Sequence, residues 1–560
     1  MKKTIICLIF ALSLVLCACD MQTSADTEGS VPSESEVSPF DPCTVGVIIK
    51  GERISVQKDI GGEGYTLYLP SFSKDIVWSL SGDTVLNGNT VTDGESAEIL
   101  NSAESVILGN FKVKIMLSAN IPALFLTSDE GTMDNINASA DHSYGTGGAF
   151  SLLSAEGETL AAGRLEKIRG RGNATWQGEK KPYQIELSSK ASLLGLAEAK
   201  KYILLANHYD PSLLRNSLAF ELAKAYEGYS VSGEPVDLYA CGEYLGSYLL
   251  CEKIEIADNK IDIFDLEDAT KELISGDFED FERTGDVSGA QKGSAKWFEL
   301  PFEPEDMSGG YLLEVEYTER YPNEVSGFVT ERGLPVTIVS PECASRMQVE
   351  YIKEYVCDFE DALYSKDGYN EKGRHYSYYA DMDSLIFRYL FEEFVLNIDG
   401  GISSFHIYKD SDENGGKLNF SCVWDYDCSF GNYDKFADLT SPELFFTGEN
   451  ETRNNGSMPS WFNALLARDE IRELMKEYYS ETFRPAVLAM AEAVPILSER
   501  IKKSAEMDHH LYGSFDKRNF YGADSGSDFE GAVAYLESFI LRRLDFFDRQ
   551  FGLDIRTIIQ

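Results

Sequence analysis

Three aspartates stand where a chain that handles cations or protons would need them. Asp399 lies in "NIDGGISSFHIYKD" (397–410), and Asp425 and Asp427 lie in "VWDYDCSFGN" (423–432). Each follows or ends a short apolar run. A carboxylate buried in such a place without a partner is costly. One that holds a cation, or takes a proton from a substrate, is not. In an extended segment side chains alternate with period two, so "WDYD" sends Asp425 and Asp427 to one side. Two carboxylates facing one way repel unless a cation lies between them. The plain alternatives are a turn aspartate before "GG" for Asp399 and exposed strand-end acids for the other two.

A basic stretch is the natural counterpart. "RGRGNATWQGEKKPYQIEL" (169–187) carries Arg169, Arg171, Lys180 and Lys181 around a glycine-rich turn. Its glycines alone say little about phosphate. Lys181 is expected to open a strand, as a lysine clamping a nucleotide would; the commoner fate of a lysine is a solvated surface. Arg171, with Asn173, either reaches the phosphates or braces the turn. Arg215 sits early in a helix and holds a phosphate or carboxylate bidentately, or else forms a structural ion pair. Glu252 ends the apolar strand "SYLLC" and is either a lysine's partner or an exposed strand end.

The elements that must position these residues divide the chain. Residues 44–118 read as short β runs separated by turns, such as "VGVIIKG", "YTLYLP" and "SVILGNFKVKIML". They predict a small immunoglobulin-like β-sandwich over 43–118. From about 120, "PALFLTS", "GAFSLLSA" and "PYQIELS" read as strands. "PSLLRNSLAFELAKAY" (211–226) has helical spacing, with Asp210 as its expected N-cap. "PVDLYACGEYLGSYLLCEKIEI" reads as two strands joined at "GEYLG". Residues 267–308 read as an exposed insertion, followed by the strand "GGYLLEVEY". Helices are expected around 344–364 and 381–397, and the chain after "WDYD" reads as helical. A β-rich half followed by a helix-rich half is an α+β domain.

Composition limits the function classes. The formal net charge of −43 over 560 residues argues against a nucleic-acid partner. HExxH, GxSxG and GxxxxGK[ST] do not occur, which removes three common enzyme signatures. After Cys19 seven cysteines remain, an odd number with no CxxC pair. At least one is therefore unpaired, and a zinc site is not expected.

The N-terminus resembles a bacterial lipoprotein signal. Lys2 and Lys3 precede "TIICLIFALSLVLCAC", and "LCAC" fits the lipobox pattern. The resemblance implies cleavage before Cys19 and a lipid thioether on its sulfur; an ordinary secretory signal is the alternative. No later run of 18 apolar residues follows, so lipid is the only evident anchor. Residues 20–42 are rich in Ser, Glu and Pro and read as a flexible tether.

Five ordered stretches are similar to the spore coat protein H (CotH) kinase family: "IRGRGNATWQGEKKPYQIEL", "LLANHYDPSLLRNSLAFELAK", "PVDLYACGEYLGSYLLCEKI", "LNIDGGISSFHIYKD" and "VWDYDCSFG". The resemblance covers roughly 120–555, and the kinase-like domain is placed at 119–560. It implies an atypical protein-kinase fold and ATP-dependent phosphorylation of an exported protein at the extracytoplasmic face. Asp399 then positions the acceptor hydroxyl, and Asp425 takes the role of the kinases' metal-binding aspartate. Asp427 is its helper or a structural residue. Magnesium is the metal favoured, because it takes oxygen ligands and phosphate together. Lys181, Arg171, Arg215 and Glu252 belong to the nucleotide side. Ser404 stands where protein kinases carry the asparagine of D-x-x-x-x-N. A serine is a shorter and poorer ligand for a second metal. This departure opens the alternative of a pseudokinase that binds a partner at the cell surface. A glycan hydrolase with two carboxylates leaves the basic stretch unexplained.

Overall fold

The computed structural model describes residues 40–552 apart from 61, 63, 73, 287–288, 436–437, 448–460 and 514–525. Cys19 and nearly all of the expected tether lie outside the described residues. Pro42–Gln560 forms one compact unit.

Residues 46–117 build two sheets. Glu52–Ser55, Gly46–Ile49 and Val77–Ser79 make a three-stranded antiparallel sheet. The other has six strands, among which Tyr65–Leu69 and Phe111–Leu117 run parallel. Within it the hairpin Thr84–Leu86/Asn89–Val91 turns on Asn87 and Gly88, both at positive φ. That is the turn whose twist matches paired strands. Trp78, Tyr68 and Leu100 of this region share a buried cluster with Tyr239, Tyr244 and Leu511 from later in the chain.

A closed seven-stranded barrel follows, in the order Ala123–Ser128, Gly145–Leu153, Thr159–Gly170, Tyr183–Ala191, Ala199–Leu205, Glu243–Glu252 and Gly233–Ala240. A parallel pairing of the first and last closes it. Three expected strands lie here. The expected hairpin also forms, with its turn at Cys241–Gly242, where both residues have positive φ, so only the first residue of "GEYLG" lies in the turn. The barrel encloses apolar side chains that alternate along each strand, such as Leu124 and Leu126, Ile185 and Leu187, and Val236 and Leu238.

Beyond the barrel, an antiparallel seven-stranded sheet runs Arg283–Gly285, Ala295–Phe298, Gly327–Val329, Pro335–Ser340, Tyr311–Val315, Phe405–Lys409 and Leu418–Asn419. Its first two strands come from the stretch expected to be an exposed insertion. They are three and four residues long, too short to show a period of two. The helices Arg346–Tyr364, Met382–Val395, Arg484–Tyr512 and Phe529–Gln550 pack with this sheet into the largest core. Ser345 and Gln348 form a reciprocal capping box at the start of the first. The β-rich N-terminal and helical C-terminal parts expected of an α+β chain are therefore present.

The helix expected over 211–226 is shorter, Arg215–Ala223, and Leu214 is its N-cap. Asp210 serves the helix differently. Its carboxylate accepts the Ser212 N–H at 2.9 Å and the Arg215 N–H at 2.8 Å, so it satisfies a first-turn donor from five residues away. "VWDYD" is likewise not a strand. The segment has no ladder, and Asp425 has φ +69°.

Candidate functional site

A cavity of about 1170 Å³ opens between the barrel and the seven-stranded sheet, slightly above the usual range of small-molecule sites, roughly 300–1,000 Å³. Seven of the residues singled out from the sequence line it: Arg169, Arg171, Asn173, Asp399, Ser404, Asp425 and Asp427. Asp399 and Ser404 lie in the turn between the helix Met382–Val395 and the strand Phe405–Lys409. Leu396 closes that helix in the left-handed conformation, which sends the chain sharply into the turn.

Asp425 and Asp427 share the cavity without the β alternation expected of them. The left-handed bend at Asp425 brings both to the same side, and neighbouring elements hold the bend. Asn216, on the helix Arg215–Ala223, accepts the Tyr426 N–H at 2.8 Å. The Tyr426 hydroxyl donates to buried Glu392 at 2.7 Å, which pairs with Arg388 at 2.7 Å. Asn432 donates to the Asp427 carbonyl at 2.7 Å.

The carboxylates repel one another. Burial, then neighbouring Asp399, pushes Asp425 up to about 6; Arg171 and Arg320 act against this. Burial and Asp425 push Asp427 well above the carboxylate range. Burial, with Glu316 and Glu324, pushes Glu314 up to about 8. Next to it, 3.5 Å away, His406 is held neutral by burial, down to about 3. His406 and Glu314 are directly opposite one another on adjacent strands.

Cationic groups line the same cavity. The Arg171 guanidinium lies 5.0 Å from the centre of the Trp424 ring, while Arg169, Lys253 and Arg320 complete the set. Arg320 is 3.6 Å from Glu316.

The remaining expected residues are placed elsewhere. Lys181 lies two residues before its strand, which starts at Tyr183. Its ammonium donates to the Trp176 carbonyl at 2.7 Å and stands 4.7 Å from the Trp176 ring centre, and it does not line the cavity. Arg215 is fully buried in an ion pair with Asp210 and donates to the Ser429 carbonyl at 2.9 Å. It has the structural role named as its alternative. Glu252 is neither exposed nor paired with a lysine. It accepts from the Ala197 N–H at 2.8 Å and the Tyr229 hydroxyl at 3.1 Å. The strand's alternation explains the miss: with Glu252 turned to those partners, the next residue, Lys253, faces the cavity. Glu314, His406, Tyr317 and Arg320 carried no sequence signal beyond lying in or beside a strand.

The donor set fits a cation with a polyanion. Like charges packed until their pKa values rise are relieved by a bound cation. Among the described residues no three His, Cys, Asp or Glu side chains form a metal-holding group by themselves. Magnesium does not require one, since it is commonly held by one or two carboxylates together with substrate phosphates.

The family model described as "CotH kinase protein" matches residues 168–547, a span that includes every one of these cavity residues except His142. No curated protein matches the chain.

Proposed function

Since the chain belongs to the CotH kinase protein family, we propose that it is an atypical kinase that transfers the γ-phosphoryl group of ATP to a serine or threonine of an exported protein. The observation that carries this reading is the convergence of Asp399, Asp425 and Asp427 with Arg171 and Lys253 on one cavity. Phosphoryl transfer needs positioning and charge neutralisation more than covalent chemistry. Asp425, with Asp427 beside it, would hold magnesium, which supplies neutralisation of the phosphate charge. Arg171 and Lys253, which line the same cavity, hold phosphate oxygens. Asp399 orients the acceptor hydroxyl and takes its proton. Ser404, on the same turn, offers a further oxygen to the cavity. The kinase-like fold belongs to this proposal.

Attachment to the extracytoplasmic face through lipid on Cys19, with 20–42 as a spacer, belongs to the same reading and rests on the sequence. Among the described residues no helix is long and apolar enough to cross a membrane. A second reading, a pseudokinase acting as a surface binding protein, is favoured by Lys181, which is tied to carbonyls away from the cavity, and by Ser404.

Calorimetry of ATP binding beside phosphate incorporation into a serine-rich peptide separates the two. Asp425→Ala should abolish magnesium-dependent binding. Asp399→Asn should bind nucleotide but lose transfer by on the order of 10² or more. If the parent chain binds no ATP with magnesium or manganese, the kinase reading is wrong and the pseudokinase reading replaces it.

A further inference from the structure

Tyr317 lines the same cavity, two residues past the end of the strand Tyr311–Val315. Its hydroxyl donates to Asp399 Oδ1. Asp399 is the carboxylate assigned above to the acceptor's proton. A hydroxyl already hydrogen-bonded to it occupies the place that an acceptor oxygen must take.

We propose that Tyr317 is itself a phosphoryl acceptor, modified by its own chain in an intramolecular transfer. This inference rests on the phosphotransferase reading and adds a residue and a product to it. The hydroxyl is held against the carboxylate before any substrate binds, so the transfer needs no encounter with a second protein. The ring lies beyond the strand's ladder, half-buried, with the Arg320 guanidinium 5.2 Å from its centre. Arg320 also lies 3.5 Å from Ser403 Oγ, on the turn that carries Asp399.

In the step, Tyr317 Oη attacks the γ-phosphorus of ATP and its proton passes to the Asp399 carboxylate. The new O–P bond forms as the bond from the γ-phosphorus to the bridging oxygen breaks, and ADP leaves with that electron pair. Nothing is oxidised or reduced. The product is a phosphotyrosine dianion beside Arg320, a partner suited to it by charge and planar geometry. An external acceptor must displace the Tyr317 hydroxyl to reach Asp399, so the same residue also limits access to the site.

The test is incubation of the full-length chain with ATP and magnesium, followed by trypsin and fragmentation mass spectrometry. The peptide Trp297–Arg320 should carry one phosphate, on Tyr317 and not on Tyr311, Ser308 or Thr318. The fraction modified per unit time should not change with protein concentration, as an intramolecular step requires. Tyr317→Phe, which keeps the ring and its contact with Arg320, should lose the phosphate on that peptide. Asp399→Asn should lose it too, with Tyr317 intact. Calorimetry on the same parent sample separates the failures. ATP binding without phosphate at Tyr317, or modification whose rate rises with concentration, overturns this assignment alone. No ATP binding overturns the phosphotransferase reading and this assignment with it.

Discussion

In the basic stretch 168–187, Lys180 is fully buried, 2.6 Å from the equally buried Asp508 and 4.7 Å from the centre of the Tyr248 ring. Lys181 is spent on backbone carbonyls. In the acidic stretch 396–432, burial and Asp399 push Asp425 up, burial and Asp425 push Asp427 up, and Arg171 and Arg320 offset only part of this at Asp425. Both stretches look equally chemical when read as text. They differ in where the counter-charge comes from. The fold supplies one to Lys180, so that charge holds the structure together. At Asp425 the counter-charge from Arg171 and Arg320 is only partial, so the remaining repulsion costs stability until a ligand arrives. A charge already matched within the chain is structural; like charges gathered in a cavity are held for something that is not in the chain.

Breaking a matched pair should produce the largest change. Lys180→Met leaves Asp508 buried and uncompensated and should lower unfolding stability by about 3–5 kcal/mol. Urea unfolding measures it, and Lys180→Met/Asp508→Leu should recover part of the loss. If the single variant is as stable as the parent, the pair is not the structural anchor described.

The acidic wall should respond with the opposite sign. Folded Glu314 keeps its proton to about pH 8, whereas the unfolded chain releases it near 4.5. The folded state binds the extra proton across that window, so this residue's contribution to stability is lost as pH rises from about 4.5 to 8. Glu314→Gln removes the dependence and should raise stability at pH 8 and above by about 2 kcal/mol. Thermal unfolding at pH 5 and pH 9 checks it, since the gain should be confined to the higher pH. A loss at pH 9 would mean that Glu314 has its counter-charge within the chain.

The smallest effect separates two lysines. Lys253→Met should weaken ATP binding by about tenfold, the worth of one charge-assisted hydrogen bond. Lys181→Met should leave the Kd within about twofold. Equal losses from both would show that Lys181 reaches the nucleotide, as its neighbourhood in the sequence suggested.

Much of the fold was legible. Strands at 123–128, 145–153, 183–191 and 311–315 and the long C-terminal helices carry apolar residues at the period of their element, because each buries one face against a core. The short strands Arg283–Gly285 and Ala295–Phe298 were not, since so few residues show no period and the sheet, not propensity, fixes them. Closure of seven strands into a barrel depends on a parallel pairing of Ala123–Ser128 with Gly233–Ala240, more than a hundred residues apart, which no local pattern encodes.

The sequence by itself determined which carboxylates could serve: Asp399, Asp425 and Asp427 stand in apolar surroundings where an unpaired charge must be either paid for or used. It could not determine which cations face them. Lysines and arginines are equally charged as text, but each has a single direction once its strand or turn is packed. Burial against Asp508 took Lys180, carbonyls took Lys181 and Asp210 took Arg215. Arg171, Lys253 and Arg320 were left at the cavity. That sorting is a property of long-range packing, because a counter-charge acts through space and not along the chain.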